Sequence, residues 1–216
     1  SEDRYTLTLF SGNGRFEDTA DPNGWNLDGD PSFPLPSGDG VEGGNFVVNF
    51  DLDIGTAAYP TPLTSKSPAG SLIYDPSVSG LISPSGDTDT YTISVDPGQT
   101  ITVLVDPAAS LQPTIEVRDS SGNPLGTATS GADGQDVVLQ TVPTLADTYS
   151  ITVGGAAGTT GQFSLDVTLN AALEEESHDG PSNDTLLTAQ DINSSFVPLL
   201  KGATRGAVLG QGDGID

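Results

Sequence analysis

The apolar residues of this chain fall in short runs with a strict two-residue period, and that rhythm points to β structure. Tyr5, Leu7 and Leu9 alternate with threonines. Phe46, Val48, Phe50, Leu52 and Ile54 alternate with Val47, Asn49, Asp51 and Asp53. Tyr91, Ile93 and Val95 alternate with Thr92 and Ser94, and Ile101, Val103 and Val105 follow across the turn Asp96-Pro97-Gly98-Gln99. Ile115 with Val117, Val137 with Leu139, Tyr149 with Ile151 and Val153, and Phe163 with Leu165, Val167 and Leu169 complete the set. Successive strand side chains point to opposite faces, so each run buries one face. The runs recur about every 8–12 residues, the spacing of a β-sandwich. Turn chemistry separates them: Ser121-Gly122-Asn123-Pro124, Ala132-Asp133-Gly134 and Gly154-Gly155. The fold class is therefore all-β, an antiparallel sandwich with flanking partial β domains. Its expected core is Tyr91, Ile93, Val103, Ile115, Val117, Tyr149, Ile151, Phe163 and Leu165.

The organisation reads as four stretches. Residues 1–54 hold two strands around a long Gly/Asp/Pro loop (11–44). Two strands do not make a stable sandwich, so this block reads as the C-terminal part of a domain that begins upstream. Residues 55–69 read as a linker. Residues 70–170 carry a full set of strands. Residues 171–216 read as an acidic linker, Glu174 to Pro181, with a helical turn from Asp184 to Asp191 and then the start of a second unit. The last inference comes from a partial repeat: Gly80-Leu81-Ile82-Ser83-Pro84-Ser85-Gly86-Asp87-Thr88-Asp89 is echoed by residues 206–216. The start at Ser1 and the absence of methionine carry the expectation of a processed or excised piece of something longer.

Charge excludes whole function classes. There are 30 acidic against 6 basic residues, a net charge of −24, so no basic footprint exists for a nucleic-acid backbone or an anionic membrane surface. No apolar run reaches the roughly 20 residues of a transmembrane helix. The cysteine count is zero, which removes thiol nucleophiles and thiolate metal sites. The excess of carboxylates is read as calcium binding or as a salt-adapted surface. Disorder is disfavoured by the ordered alternation of the apolar residues.

The central block resembles the bacterial pre-peptidase C-terminal domain family. The residues that carry the resemblance are Gly86-Asp87-Thr88-Asp89-Thr90-Tyr91, Pro97-Gly98-Gln99-Thr100-Ile101-Thr102-Val103 and Val117-Arg118-Asp119-Ser120-Ser121-Gly122-Asn123-Pro124-Leu125. Asp147-Thr148-Tyr149-Ser150-Ile151-Thr152-Val153 and Gly161-Gln162-Phe163-Ser164-Leu165 continue it. The family's Asn-Asp-Thr leader is degenerate before this block. It stands instead at Asn183-Asp184-Thr185, ahead of the second, truncated unit. Residues 1–54 resemble the final strands of a bacterial Ig-like domain, at Tyr5 to Leu9, Asn26 to Asp30 and Gly44 to Phe46. The resemblance implies a jelly-roll-like sandwich with no chemistry of its own, of the kind found beside secreted proteases or in bacterial surface proteins. It also implies calcium held by leader carboxylates and by acids just before the first core strand.

Two carboxylate groups follow as calcium candidates. One is Glu174, Glu176, Asn183, Asp184, Asp213 and Asp216, a leader folding back onto a Gly-Asp-x-x-Asp turn. The other is Asp87 and Asp89, joined by Asp51 and Asp53 from the preceding strand end. A third acidic stretch, Asp18, Asp21, Asn23, Asp28 and Asp30, lacks the EF-hand spacing and reads as a turn-rich loop. Trp25 within it reads as a plug over the sandwich end. His178 is the single histidine, flanked by Ser177 and Asp179. Sequence neighbours rarely attain triad geometry, so no catalytic residue is assigned.

Two functions from different classes remain. The first is a non-catalytic, calcium-stabilised spacer or binding module of a large secreted or surface-displayed bacterial protein, serving adhesion or substrate attachment. Its partners would be neighbouring domains, identical subunits, or an extracellular polymer or protein ligand. The second is a structural subunit of an extracellular fibre or lattice that assembles through incomplete β domains. Both place the chain outside the cell or on its surface.

Overall fold

The computed structural model describes residues 3–11, 44–53, 55–60, 64, 66–67, 73–74, 76–145 and 147–210. The chain divides into two compact units, Glu2–Leu52 and Asp53–Asp216.

In the first unit, β1 (Asp3–Leu9) pairs antiparallel with β2 (Phe46–Leu52). The register sets Tyr5 opposite Phe50, Leu7 opposite Val48 and Leu9 opposite Phe46, so the alternation read in the sequence collects on one face of the ribbon. The Tyr5 and Phe50 rings stack with centroids 5.8 Å apart. On the other face the Thr6 hydroxyl donates to Asn49 Oδ1 at 2.6 Å.

The second unit opens with β3 (Thr56–Ala58), β4 (Ser77–Ile82), β5 (Thr88–Val95) and β6 (Thr100–Pro107). It continues with β7 (Pro113–Arg118), β8 (Pro124–Thr129), β9 (Val137–Pro143), β10 (Asp147–Gly155) and β11 (Gly161–Leu169). These form a five-stranded sheet in the order β3-β5-β10-β7-β8 and a four-stranded sheet in the order β4-β11-β6-β9. All pairings are antiparallel except β3 with β5, which is parallel. All nine residues expected in the core are buried in one apolar cluster, each at most 4% exposed. The register explains the grouping: Ile151 lies between Tyr91 and Val117, and Leu165 between Val78 and Val105. Burying side chains of this size contributes about 1.5–3 kcal/mol each. Within the four-stranded sheet, where Gly80 lies opposite Phe163, it must remain glycine, because a methyl group there would lie 2.4 Å from the Phe163 ring.

Part of residues 55–69, expected as a linker, contributes to the sandwich. Thr56–Ala58 form β3, and Tyr59 is buried in the core with its ring edge-on to Tyr91 at 6.3 Å. Residues 171–210, expected as a linker and the start of a second unit, lie in the same compact unit as the sandwich. They form a strap containing β12 (Ala172–Leu173), β13 (Val197–Pro198), β14 (Thr204–Arg205) and β15 (Val208–Leu209). β12 pairs parallel with β15, and β13 antiparallel with β14. The strap covers the outer face of β6, which is why Thr102 and Leu104 are buried along with their core-facing neighbours Ile101 and Val103. Thr102 Oγ1 donates to the Ala171 carbonyl at 2.7 Å, and Gln140 Nε2 donates to the Leu173 carbonyl at 2.7 Å. The helical turn expected from Asp184 to Asp191 is a single turn closed by Thr188 N–H on the Thr185 carbonyl at 2.9 Å.

Candidate functional site

The parallel pairing of β3 with β5 builds the first site. Thr56 lies opposite Thr90 and Ala57 opposite Tyr91. Continued backwards by three residues, that register sets Asp53 level with Asp87. The Thr90 N–H donates to the Gly55 carbonyl at 2.9 Å and extends the ladder toward them. Gly55 takes φ +64, a conformation that glycine adopts without a side-chain penalty. Asp53, Asp87 and Asp89 each offer a carboxylate oxygen within 4.8 Å of the others. Asp53 is exposed, Asp87 half-buried and Asp89 buried at 1% exposure. Asp53 Oδ1 accepts the Gly55 N–H at 2.7 Å, so it also shapes its own turn. Asp87 caps the Ser83–Thr88 turn, Oδ2 accepting the Ser83 N–H at 2.8 Å and Oδ1 the Thr88 N–H at 2.7 Å. Three like charges this close repel, most strongly where one is removed from water. An all-oxygen donor set of net charge −3 fits a hard divalent cation such as calcium. Asp51, the other acid expected here, lies on β2 in the first unit.

The leader acids are arranged differently. Glu174 Oε1 accepts the Glu176 N–H at 2.8 Å and the Asn183 amide at 2.6 Å, and Oε2 accepts the Ser177 N–H at 2.8 Å. The Asn183 N–H donates to Glu176 Oε2 at 3.2 Å. Glu174, Glu176 and Asn183 are thus brought together, but as a hydrogen-bonded turn whose donors occupy the carboxylates. Burial would raise the Glu174 carboxyl, yet the bonds from Glu176, Ser177 and Asn183 outweigh it and hold the group below its ordinary value. Asp184 accepts from the Ser182 hydroxyl at 2.6 Å instead. Among the described residues, Glu174, Glu176 and Asp184 do not converge as Asp53, Asp87 and Asp89 do. Asp213 and Asp216 lie outside the described residues, as do Trp25 and the loop acids Asp18, Asp21, Asp28 and Asp30 with Asn23.

The sequence reading missed one pair. His178 Nδ1 lies 2.9 Å from Asp136 Oδ2, joining the strap to the segment that leads into β9. Burial pushes the Asp136 carboxyl up, the His178 hydrogen bond opposes it, and the charges of Asp106 and Asp179 push the same way as burial. No local signal marks partners 42 residues apart. The flanking residues expected around His178 do other work. The Ser177 hydroxyl donates to the Glu174 carbonyl at 3.0 Å, and Asp179 Oδ2 accepts the Asp136 N–H at 3.1 Å. A histidine–carboxylate pair is present, but the neighbouring serine is turned into its own loop. A cleft of about 520 Å³ between strap and sheet is lined by Lys66, Leu104, Asp166, Leu173 and His178.

No family model matches the chain, and no curated protein matches it. Among solved structures, the chain is similar to the pre-peptidase C-terminal domain of a collagenase from Bacillus anthracis. The identity is 19% and the TM-score 0.37, over 43% of this chain and 88% of that one. It is also similar to PliG of Aeromonas hydrophila, a periplasmic inhibitor of g-type lysozyme. There the identity is 18% and the TM-score 0.35, over 53% of this chain and 93% of that one. Among the described residues, no helix is long and apolar enough to cross a membrane.

Proposed function

We propose that this chain is a non-catalytic, calcium-stabilised spacer or binding module of a secreted or surface-displayed bacterial protein. The observation that carries the reading is the convergence of Asp53, Asp87 and Asp89 where β3 enters the sandwich. A calcium ion there would be held by these three carboxylates, with backbone carbonyls or water completing the about six to eight oxygens it takes. It would offset the repulsion of the buried Asp89 and pin the entry strand to β5. A spacer needs that property, because an entry strand of three residues is otherwise a weak anchor. Extracellular modules bind calcium at roughly 10⁻⁴–10⁻³ M, so the site would be filled outside a cell and empty inside one.

The test is calcium titration by calorimetry together with melting in calcium and in EDTA. Binding only the folded state stabilises by about 2.7 kcal/mol at a hundredfold excess over Kd. Asp87→Asn with Asp89→Asn should abolish both the heat of binding and the calcium increment. Glu174→Gln should leave both intact. Identical melts in calcium and EDTA would sink the calcium reading.

A second reading, a self-assembling structural subunit, is favoured by the apolar face of the β1–β2 ribbon. Tyr5, Leu7, Phe50 and Leu52 on it are 37–48% exposed. Sedimentation across a range of concentrations separates the two. A module stays monomeric, whereas a subunit grows into polymers.

A further inference from the structure

We propose that the cleft between Tyr74 and the turn from β5 to β6 is a subsite for a neutral saccharide. It measures about 320 Å³ and is lined by Tyr74, Ser94, Val95, Asp96, Gln99 and Leu169. That is at the low end of the about 300–1,000 Å³ of small-ligand sites, enough for a sugar ring. Val95 and Leu169 are buried and form its apolar floor. Tyr74 stands beside them, half-buried and packed in part against the core. Both walls are tied to the sandwich. The Tyr74 carbonyl accepts the Leu169 N–H at 3.0 Å. The Gln99 carbonyl accepts the Thr144 N–H at 3.1 Å and the Thr144 hydroxyl at 2.8 Å. The cleft therefore needs little ordering when a ligand arrives.

The polar groups on the rim decide the ligand. The Asp96 N–H donates to Gln99 Oε1 at 2.8 Å. A backbone N–H can bond only the oxygen of a side-chain amide, so the Gln99 NH₂ is the end left for a ligand. The rim thus offers a donor at Gln99, an acceptor at the Asp96 carboxylate, and the Ser94 hydroxyl, which lies 2.8 Å from that of Thr148. Sugar hydroxyls both donate and accept. Two on adjacent carbons can meet the amide and the carboxylate together, while the C–H face of the ring packs against Tyr74. A net charge of −24 would attract a cation instead. An ammonium group, however, carries donors only and would set them against the Gln99 NH₂. The inference rests on the binding-module reading but not on calcium. Ser94 to Gln99 lie at the opposite end of β5 from Asp87 and Asp89, about 20 Å along the strand.

Nuclear magnetic resonance titration of the whole chain in EDTA tests this, with neutral trisaccharides of glucose, mannose and N-acetylglucosamine as probes. At least one should shift the amide signals of residues 94–99 and of Leu169, with a Kd of roughly 1 mM. That Kd should be the same in about 0.05 M and about 0.5 M NaCl, because the ligand is uncharged. Gln99→Glu keeps the oxygen that holds the Asp96 N–H and removes the NH₂, so it should weaken binding about tenfold. Asp96→Ala, at an exposed position, should do likewise. Asp87→Asn with Asp89→Asn should leave the affinity unchanged, so failure of the calcium reading would not carry this one with it. If none of the trisaccharides shifts residues 94–99, the proposal is overturned. An affinity that Gln99→Glu leaves intact also overturns it, as does Nα-acetyl-lysine amide binding in the cleft where the sugars do not.

Discussion

At the scale of single residues, Tyr59 shows how one hydroxyl can tie the two sheets together. Its ring packs in the core, its O–H donates to the Pro76 carbonyl at 2.6 Å, and its oxygen accepts the Val167 N–H at 3.0 Å. Tyr59→Phe keeps the ring and strands a buried N–H. The expected cost is about 1–3 kcal/mol, read as a lower urea midpoint with an unchanged slope. A loss below a few tenths would mean that water replaces the hydroxyl. Glu174 makes a second prediction, with its sign set by linkage. Its folded value is depressed, so its contribution is present above the ordinary carboxylate range and lost as pH falls through the folded value. Protection of residues 174–183 should therefore fall on acidification below about pH 4.3. Glu174→Gln should be flat across that window.

Strands and segments differ in how far they could be read beforehand, and the difference has physical causes. The strands β5, β7 and β10 bury one face and leave the other mostly half-buried, so their alternation is visible in Tyr91, Ile93 and Val95 or in Ile115 and Val117. β6 is buried on both faces, and the polar Thr100 and Thr102 hide its second contact from any alternation rule. The strap defeats pattern reading more fully. Its strands are two residues long, too short to display a period, and its acidic composition suggests a solvated linker. The Asp53–Asp87–Asp89 grouping was legible because Asp87 and Asp89 stand at the start of β5 and Asp53 just ahead of β3. The Asp136–His178 pair was not, because only the folded strap brings the two together. The strap's anchorage yields the third prediction. Leu173 is buried, and it lines the cleft together with Leu104 of β6. Leu173→Asp places an unpaired charge there, at a cost of several kcal/mol, and should release the strap. Limited proteolysis should then cut within residues 174–210 while residues 76–170 stay intact. Loss of the whole unit would show instead that strap and sandwich fold as one cooperative block.

For the molecule as a whole, the dominant quantity is a net charge of −24 over 216 residues. Such a charge keeps a chain soluble and opposes its compact state through self-repulsion. Screening should relieve that opposition, since the Debye length falls from about 30 Å at 0.01 M salt to about 10 Å at 0.1 M. Tm should therefore climb with NaCl through this range and then level off. Calcium bound at Asp53, Asp87 and Asp89 would add an increment at matched ionic strength, and Asp87→Asn with Asp89→Asn should delete that increment while leaving the NaCl slope intact. The same charge sets the acid limit. The isoelectric point is near 4.1, so repulsion between molecules vanishes there and solubility should pass through a minimum. The exposed apolar groups, among them Leu145, Leu186, Leu187 and Leu200, would then meet without electrostatic opposition. Light scattering against pH reads this directly. A Tm flat in NaCl, with no solubility minimum near pH 4.1, would mean that the carboxylates are too dispersed for their mutual repulsion to govern the molecule.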